Sequence, residues 1–537
     1  MYDYIVVGAG SAGCVLAARL TEDPGTRVLL LEAGPADTAE EIRLPMAWPR
    51  LLQSAYDWRY LSEPEPGLGG RRRVLPVGRT LGGSSSINAM IYVRGNKRDF
   101  DDWAALGARG WGWDDVLPYF RRAEDNTRGA DELRGVGGPL GVTDNSSRHP
   151  IMADLIKAGV QAGHPRNPDL NGAQQDGFGW YQVTVRDGVR SSTAAAYLRP
   201  VVHRPNLHVW TDTLVHRVVL DGGRAVGVEA ERAGELVSLR AEREVVVSAG
   251  AYNSPKLLML SGVGIPADLE AMGIRPVVDL PVGENLRDHP HVALVYLTDT
   301  ETKETQFTPE NLELWRATGG GPLSSNLGEA GGFLRTRPDL PAPDVEVTAS
   351  PAMFLDEGLT APYDHAFMLG PTLLTPTSRG RVSLRTAMPG SAPRILHNYL
   401  TTEEDRQAVV RGVRALLSVA DQPALKAHRR APLSVPDSDS DADILRFARR
   451  VTNSLFHPVG TCAIGSVVDP ELRVHGVTGL RVVDASVMPT LVRGNTNATT
   501  IMIGEKASDL IRGRGAADDQ DVSDGSWSAA GQPTGLT

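Results

Sequence analysis

The chain has 537 residues, enough to bury a large core and to form more than one domain. Its hydrophobic content of 41% and charged content of 22% are those of a soluble globular protein, and no apolar run reaches the length of a membrane span. A net charge of −10 with no lysine-rich tract argues against nucleic acid as a partner. Arg71-Arg72-Arg73, the one basic run, reads as solvated surface. Two cysteines, Cys14 and Cys462, offer no disulfide framework. With a first strand that leaves no room for a signal peptide, they suit a reducing cytoplasm.

Tyr4 to Val7 is a short β-branched run that predicts a strand buried on both faces. It enters Gly8-Ala9-Gly10-Ser11-Ala12-Gly13, a small-residue helix from Cys14 to Leu20, and a second buried strand, Val28 to Leu31, that ends on Glu32. In this order the glycines have distinct tasks. Gly8 turns the chain out of the strand, Gly10 lets a pyrophosphate approach the backbone, and Gly13 lets helix and sheet pack closely. The helix N-terminus faces the phosphates with unpaired N–H groups. Glu32 falls about 20 residues past the last glycine, where an acid holds a ribose hydroxyl and disfavours a 2′-phosphate. The ligand is therefore ADP-like, as in FAD or NAD.

Prolines and aromatics between Pro35 and Gly70 predict an excursion over the nucleotide site. Gly78 to Asn88 is a second glycine-rich turn, small enough at Gly82-Gly83 to lie against a flat ring. Trp103 to Glu124 predicts two helices with Trp111 and Trp113 at the turn, and Ile151 to Ala162 a further helix. Ser191-Ser192-Thr193 can cap a helix at Ala194 to Leu198. Short strands follow at 207–210, 215–220 and 227–230, then a buried strand at Glu244 to Ser248. Ser254-Pro255 opens a helix, with Pro in its first turn. Residues 296–450 lack nucleotide signals and read as a substrate domain, in which 345–350, 381–384 and 395–399 could share one sheet; Glu403 to Ala420 is a helix. The last informative stretch holds Phe456-His457-Pro458-Val459-Gly460-Thr461, Asp484-Ala485 and Gly494-Asn495-Thr496-Asn497-Ala498, before a helix at Ile501 to Leu510.

These separated motifs, with Gly250 to Gly264 between them, resemble the glucose–methanol–choline (GMC) oxidoreductases over residues 1 to 513. The nearest look is to choline-dehydrogenase-like and alcohol-oxidising members. The resemblance implies an α/β (α+β) protein: a Rossmann-like FAD-binding domain from discontinuous segments plus a sheet-and-helix substrate-binding domain. The FAD domain would lie mainly in 1–295, with an excursion at 35–75 and part of the substrate cap within 151–190. Residues 296–450 would bind substrate, 451–513 would return to the FAD domain with the catalytic residues, and 514–537 would be a disordered tail. It further implies that Gly8, Gly10, Ser11, Ala12 and Gly13 flank the pyrophosphate and Glu32 the ribose. Gly83, Ser84 and Asn88 would line the flavin side, Val215 would contact adenine, and Asp484, Ala485 and Ala498 would close the cofactor site. Ile87 stands where covalently flavinylated members carry histidine, so FAD should be non-covalent.

Alcohol oxidation needs a base for the hydroxyl proton while hydride leaves for the flavin N5, and histidine suits that task. His457 is assigned as the base. Asn497 is assigned to the developing alkoxide, with a helix N-cap as its other reading. Phe456 would shape the pocket. No metal is assigned. The expected reaction is oxidation of a primary alcohol to an aldehyde, with oxygen or a quinone-like acceptor reoxidising the flavin. A hydroxynitrile-lyase-type reaction on the same fold is the alternative from another class. Choline would need aromatic faces or a carboxylate, for which Trp315, Glu329 and Phe333 are candidates; an uncharged alcohol is preferred.

Overall fold

Tyr2–Val7 takes the middle of a seven-stranded sheet, flanked by Val28–Leu31 and by the end of the long strand Glu235–Val247, all parallel. Leu207–Trp210 and Leu480–Val482 extend the parallel part on either side. The first half of Glu235–Val247 instead pairs with the antiparallel meander Thr213–Asp221 and Arg224–Arg232. The computed structural model describes residues 1–514, so the expected tail, 514–537, lies outside the described residues but for its first member.

Helix Ser11–Leu20 packs against this sheet, and helix Thr496–Arg512 packs against that helix. Gly504 lets them close: a Cβ there would lie 3.2 Å from the Ala12 Cα. Their register is set by Glu505, whose carboxylate takes Arg19 and Arg122 at 2.9 Å and the Tyr197 hydroxyl at 2.7 Å. Burial opposes ionisation there, yet the two guanidiniums hold Glu505 down to about 2.

A second, eight-stranded sheet is antiparallel, in the order Ala431–Ser434, Leu294–Leu297, Ala366–Leu373, Val345–Ser350, Ala330–Leu334, Gly177–Trp180. Pro290–His291 and Asn453–Ser454 join at its edge. The two-residue repeat of a strand gives the sheet its two faces. Val345, Val347, Ala349, Phe367 and Leu369 enter a core with helices Pro150–Gln161, Glu403–Ala420 and Asp441–Val451. Thr348, Ser350 and Met368 alternate with them and face the cavity described below.

Several expectations are corrected. The 295/296 boundary cuts the strand Leu294–Leu297, and the second sheet also recruits 177–180, 290–291 and 453–454. Arg381–Ser383 and Arg394–Leu396 form a separate ribbon, and Val382, Leu384 and Ile395 are buried in the nucleotide-side core. The helix expected to start at Ser254-Pro255 starts at Gly250 and carries Pro255 inside. Proline cannot donate to the Ala251 carbonyl one turn earlier, and the Thr461 hydroxyl does so at 2.7 Å. Ala194–Leu198 is a π-helical turn; of the three residues expected to cap it, Ser192 does so, its hydroxyl accepting from Ala195 N–H at 3.2 Å, while the Thr193 hydroxyl pairs with Ser85. Arg73 is largely buried against Glu357 at 2.9 Å rather than solvated.

Replacing Glu505 by Ala removes the carboxylate shared by the buried Arg19 and Tyr197 and the partly buried Arg122. The expected loss is about 3–5 kcal/mol, read as a lower urea midpoint of unfolding.

Candidate active site

One cavity of about 580 Å³ lies between the two sheets, and the sequence-assigned residues are distributed along it. At one end Gly8, Gly10, Ser11, Ala12, Glu32 and Val215 form its wall. Gly13 does not: a Cβ there would stand 1.9 Å from the Gly8 carbonyl oxygen, so its role is the close packing of helix on strand. Ala498 is buried in the core and lies off the cavity as well. Glu32 receives the backbone N–H groups of Ala9 at 3.0 Å and Gly34 at 2.9 Å. Burial nevertheless pushes its carboxyl up to about 7.

The second glycine turn, Gly83–Ser86, abuts the first: a Cβ on Gly83, at φ +53°, would meet the Gly10 Cα at 2.7 Å. Gly83, Ser84, Ile87 and Asn88 all reach the cavity. Arg190, which sequence reasoning passed over, holds this turn. Its buried guanidinium donates to the carbonyls of Ile42, Ser85 and Asn88 and to the Asn88 side chain. Asp484 also lines the cavity, but its carboxylate is committed to the protein. It accepts from Gly250 N–H at 2.9 Å, the Ser254 hydroxyl at 2.5 Å and Ser486 N–H at 2.8 Å, with Ala485 beside it on the wall.

At the other end stands His457, after Phe456, which adopts φ +64° on the cavity wall. A left-handed aromatic residue is uncommon and marks a forced turn of the chain. The His457 Nδ1 lies 2.9 Å from the Nδ1 of His289, whose Nε2 is 3.3 Å from the Leu374 carbonyl. Its Nε2 accepts from the Asn495 side-chain Nδ2 at 3.2 Å. These partners assign one neutral arrangement: His289 Nε2–H donates to Leu374, and His457 Nδ1–H donates to His289. The His457 Nε2 lone pair is left on the Asn495 side. Burial pushes His457 down to about 4 and His289 well below its ordinary value. Both rings are therefore neutral near pH 7.

Asn495, not Asn497, is thus the amide beside the histidine. The last helix begins at Thr496, so Asn495 is its N-cap residue, yet its side chain caps nothing and turns to His457. Its Oδ1 is buried without a partner. Asn497 occupies the first turn, also on the cavity wall, and its Oδ1 accepts from the Ser11 hydroxyl at 2.7 Å. That bond ties together the N-termini of the first and last helices, and both face the cavity. The sequence signal for Asn495 was its place just before the helix. Nothing local signalled His289.

The candidates for a cationic site do not line the cavity. Trp315 and Phe333 belong to separate apolar clusters, and Glu329 accepts from Ser325 and from the backbone of His149. Cys14 and Cys462 are buried and unpaired with each other, and both lie off the cavity. Among the described residues no cluster of His, Cys, Asp or Glu could hold a metal, and no helix is long and apolar enough to cross a membrane.

A family model described as GMC oxidoreductase matches residues 2–291, and its C-terminal counterpart matches 376–504. Human mitochondrial choline dehydrogenase is 44% identical over 545 residues, covering 97% of this chain and 91% of that protein. An oxygen-dependent choline dehydrogenase of Pseudomonas putida is 45% identical over 535 residues, covering 96% and 94%. Among solved structures, pyridoxine 4-oxidase from Mesorbium loti aligns with a TM-score of 0.89 at 33% identity, covering 96% of this chain and all of that one. Formate oxidase aligns with a TM-score of 0.89 at 29% identity, covering 95% and 98%. With the nucleotide loops and the His457–Asn495 pair on one cavity, and with both parts of the family model matched, the chain belongs to the GMC oxidoreductase family.

Proposed function

We propose that this protein oxidises an uncharged primary alcohol to an aldehyde, with His457 as the base and non-covalent FAD as the oxidant. The observation that carries the reading is the His457–Asn495 pair on the same cavity as the two glycine turns.

The residues present fit FAD. Two helix N-termini face the cavity and favour a pyrophosphate. A Cβ on Gly10 would meet nothing nearer than the Ser248 carbonyl oxygen at 3.8 Å, so that backbone is open to a ligand. Glu32 keeps lone pairs for a ribose beyond the two N–H groups it accepts. Ile87 lines the cavity with no atom able to bond a flavin covalently. When bound, FAD supplies the acceptor for the hydride that leaves the alcohol carbon.

The chain itself handles the proton. The substrate hydroxyl takes the place of the Asn495 N–H at the His457 Nε2 and gives its proton to that nitrogen, which donation from Nδ1 to His289 keeps unprotonated. Asn495 Nδ2 has a second proton to offer the oxygen as it becomes an alkoxide. Asn497 holds the first and last helices together. It is assigned to building the cofactor site rather than to the reacting oxygen.

The preference for an uncharged alcohol rests on the charges around the cavity. Lys303 and Arg50 line it with Glu304, whose carboxyl is raised by burial and already accepts from the Thr302 hydroxyl and the Met353 N–H. The two cations on this wall oppose a quaternary ammonium there. Choline is the second reading, favoured by the identity to the choline dehydrogenases. Oxygen or a quinone-like compound completes the cycle, and the two buried thiols suit a cytoplasmic setting.

Anaerobic mixing of the holoenzyme with benzyl alcohol, 1-pentanol or choline, followed at the flavin absorbance, tests the reading; readmitted air then separates oxygen from another acceptor. His457→Ala is expected to slow bleaching by roughly 10²–10⁴-fold. Asn495→Ala is expected to lower kcat by about 10²-fold, and Asn497→Ala by less, with FAD affinity as its main loss. Because burial lowers His457, its neutral form persists down to about 4. The kcat/KM profile should stay level from neutral pH and fall only on approach to that value. An acid limb near the ordinary histidine value would identify another group. Glu32→Gln replaces the carboxyl acceptor for the ribose by an amide, and its apoprotein should bind FAD about tenfold more weakly in a fluorescence titration.

A further inference from the structure

The substrate end of the cavity carries two polar atoms that no residue satisfies. His291 and Asn453 are partners across neighbouring strands. Both line the cavity, and they are 0% and 6% exposed. The His291 Nδ1 is engaged by the Thr372 hydroxyl at 2.9 Å, but its Nε2 has no partner, and neither has the Asn453 Oδ1. A buried polar atom left bare is costly. Two of them side by side on the wall of a ligand cavity call for a ligand group that bonds both.

We infer that His291 and Asn453 form a subsite for a second hydroxyl of the substrate, so that the alcohol oxidised is a diol or a hydroxyaryl alcohol. The inference rests on the alcohol-oxidising reading above. A hydroxyl meets both demands at once. It donates its proton to the Asn453 Oδ1 and accepts from the His291 Nε2–H, the tautomer set when the Thr372 hydroxyl donates to Nδ1. Burial pushes His291 down to about 4, so the ring is neutral and offers no charge to a carboxylate. A quaternary ammonium has neither donor nor acceptor, and a plain alkyl or benzyl group leaves both atoms bare.

The spacing suits this occupant. His291 lies two residues past His289, whose ring meets His457, along a segment that pairs with 453–455. Two residues of extended chain span about 7 Å. That backbone separation is of the order of the length of a para-substituted benzene ring or a five-carbon chain, the two frames used in the test.

The test compares 4-hydroxybenzyl alcohol with benzyl alcohol, and 1,5-pentanediol with 1-pentanol, as substrates of the holoenzyme in the flavin-bleaching assay. The hydroxylated member of a pair should have a kcat/KM at least roughly tenfold higher. In His291→Leu and in Asn453→Leu, checked for retained flavin, that ratio should fall toward one. Equal efficiency within both pairs in the unaltered enzyme overturns the subsite while leaving alcohol oxidation standing. A ratio that survives both substitutions also overturns it. Should one variant fail to hold FAD, the other and the unaltered enzyme's ratio still decide. Bleaching by none of these alcohols, nor by choline, removes the alcohol reading and the subsite with it.

Discussion

The carboxylate of Asp288 is the point on which the reaction end of this molecule depends. Its Oδ1 accepts the backbone N–H groups of His289 and His457, each at 2.8 Å, and its Oδ2 accepts the Tyr399 and Ser454 hydroxyls. A buried carboxylate is stable only when its lone pairs are filled. Here the filling draws together segments far apart in the chain. His289 and His457 are 168 positions apart, yet one carboxylate fixes both backbones and so brings their Nδ1 atoms to 2.9 Å. The neutral, ordered histidine that a base requires is a consequence of that clasp.

The cofactor end is built on a different constraint. The Ser11–Leu20 and Thr496–Arg512 helices run side by side because Gly504 and Glu505 allow close contact and fix its register. Their N-termini then open on one cavity, where the Ser11–Asn497 bond joins them. Aligned helix N-termini concentrate partial positive charge, and the glycine turns let backbone rather than side chains face the ligand. The second sheet covers this floor. Its period-two alternation sends Val347 and Phe367 to the helix-backed core and Thr348 and Met368 to the cavity.

Much of the cofactor site was legible in sequence because its signals are local. Strand, glycines, helix and acid are consecutive, and a backbone that must pass close to a phosphate leaves its mark as Gly. The nucleotide strands and the helix at Glu403–Ala420 followed from apolar periodicity for the same reason. The assignments that changed were those that needed a partner from elsewhere. Pro255 looked like a helix start because the Thr461 hydroxyl that frees it from that role lies 210 positions from Ala251. Val382 and Ile395 looked like part of the substrate sheet, since an apolar strand does not record which core receives it.

By itself, then, the sequence pointed to a dinucleotide site, to the glycines and the acid assigned to it, and to the histidine proposed as the base. The tertiary structure decided which amide faces that histidine, which second imidazole orders it, and which buried polar atoms on residues lining the cavity are left without a partner. The physical reason is range. Backbone conformation and helix dipoles are properties of neighbours in the chain, whereas the pairing of buried polar side chains is set by strands and helices that meet only on folding.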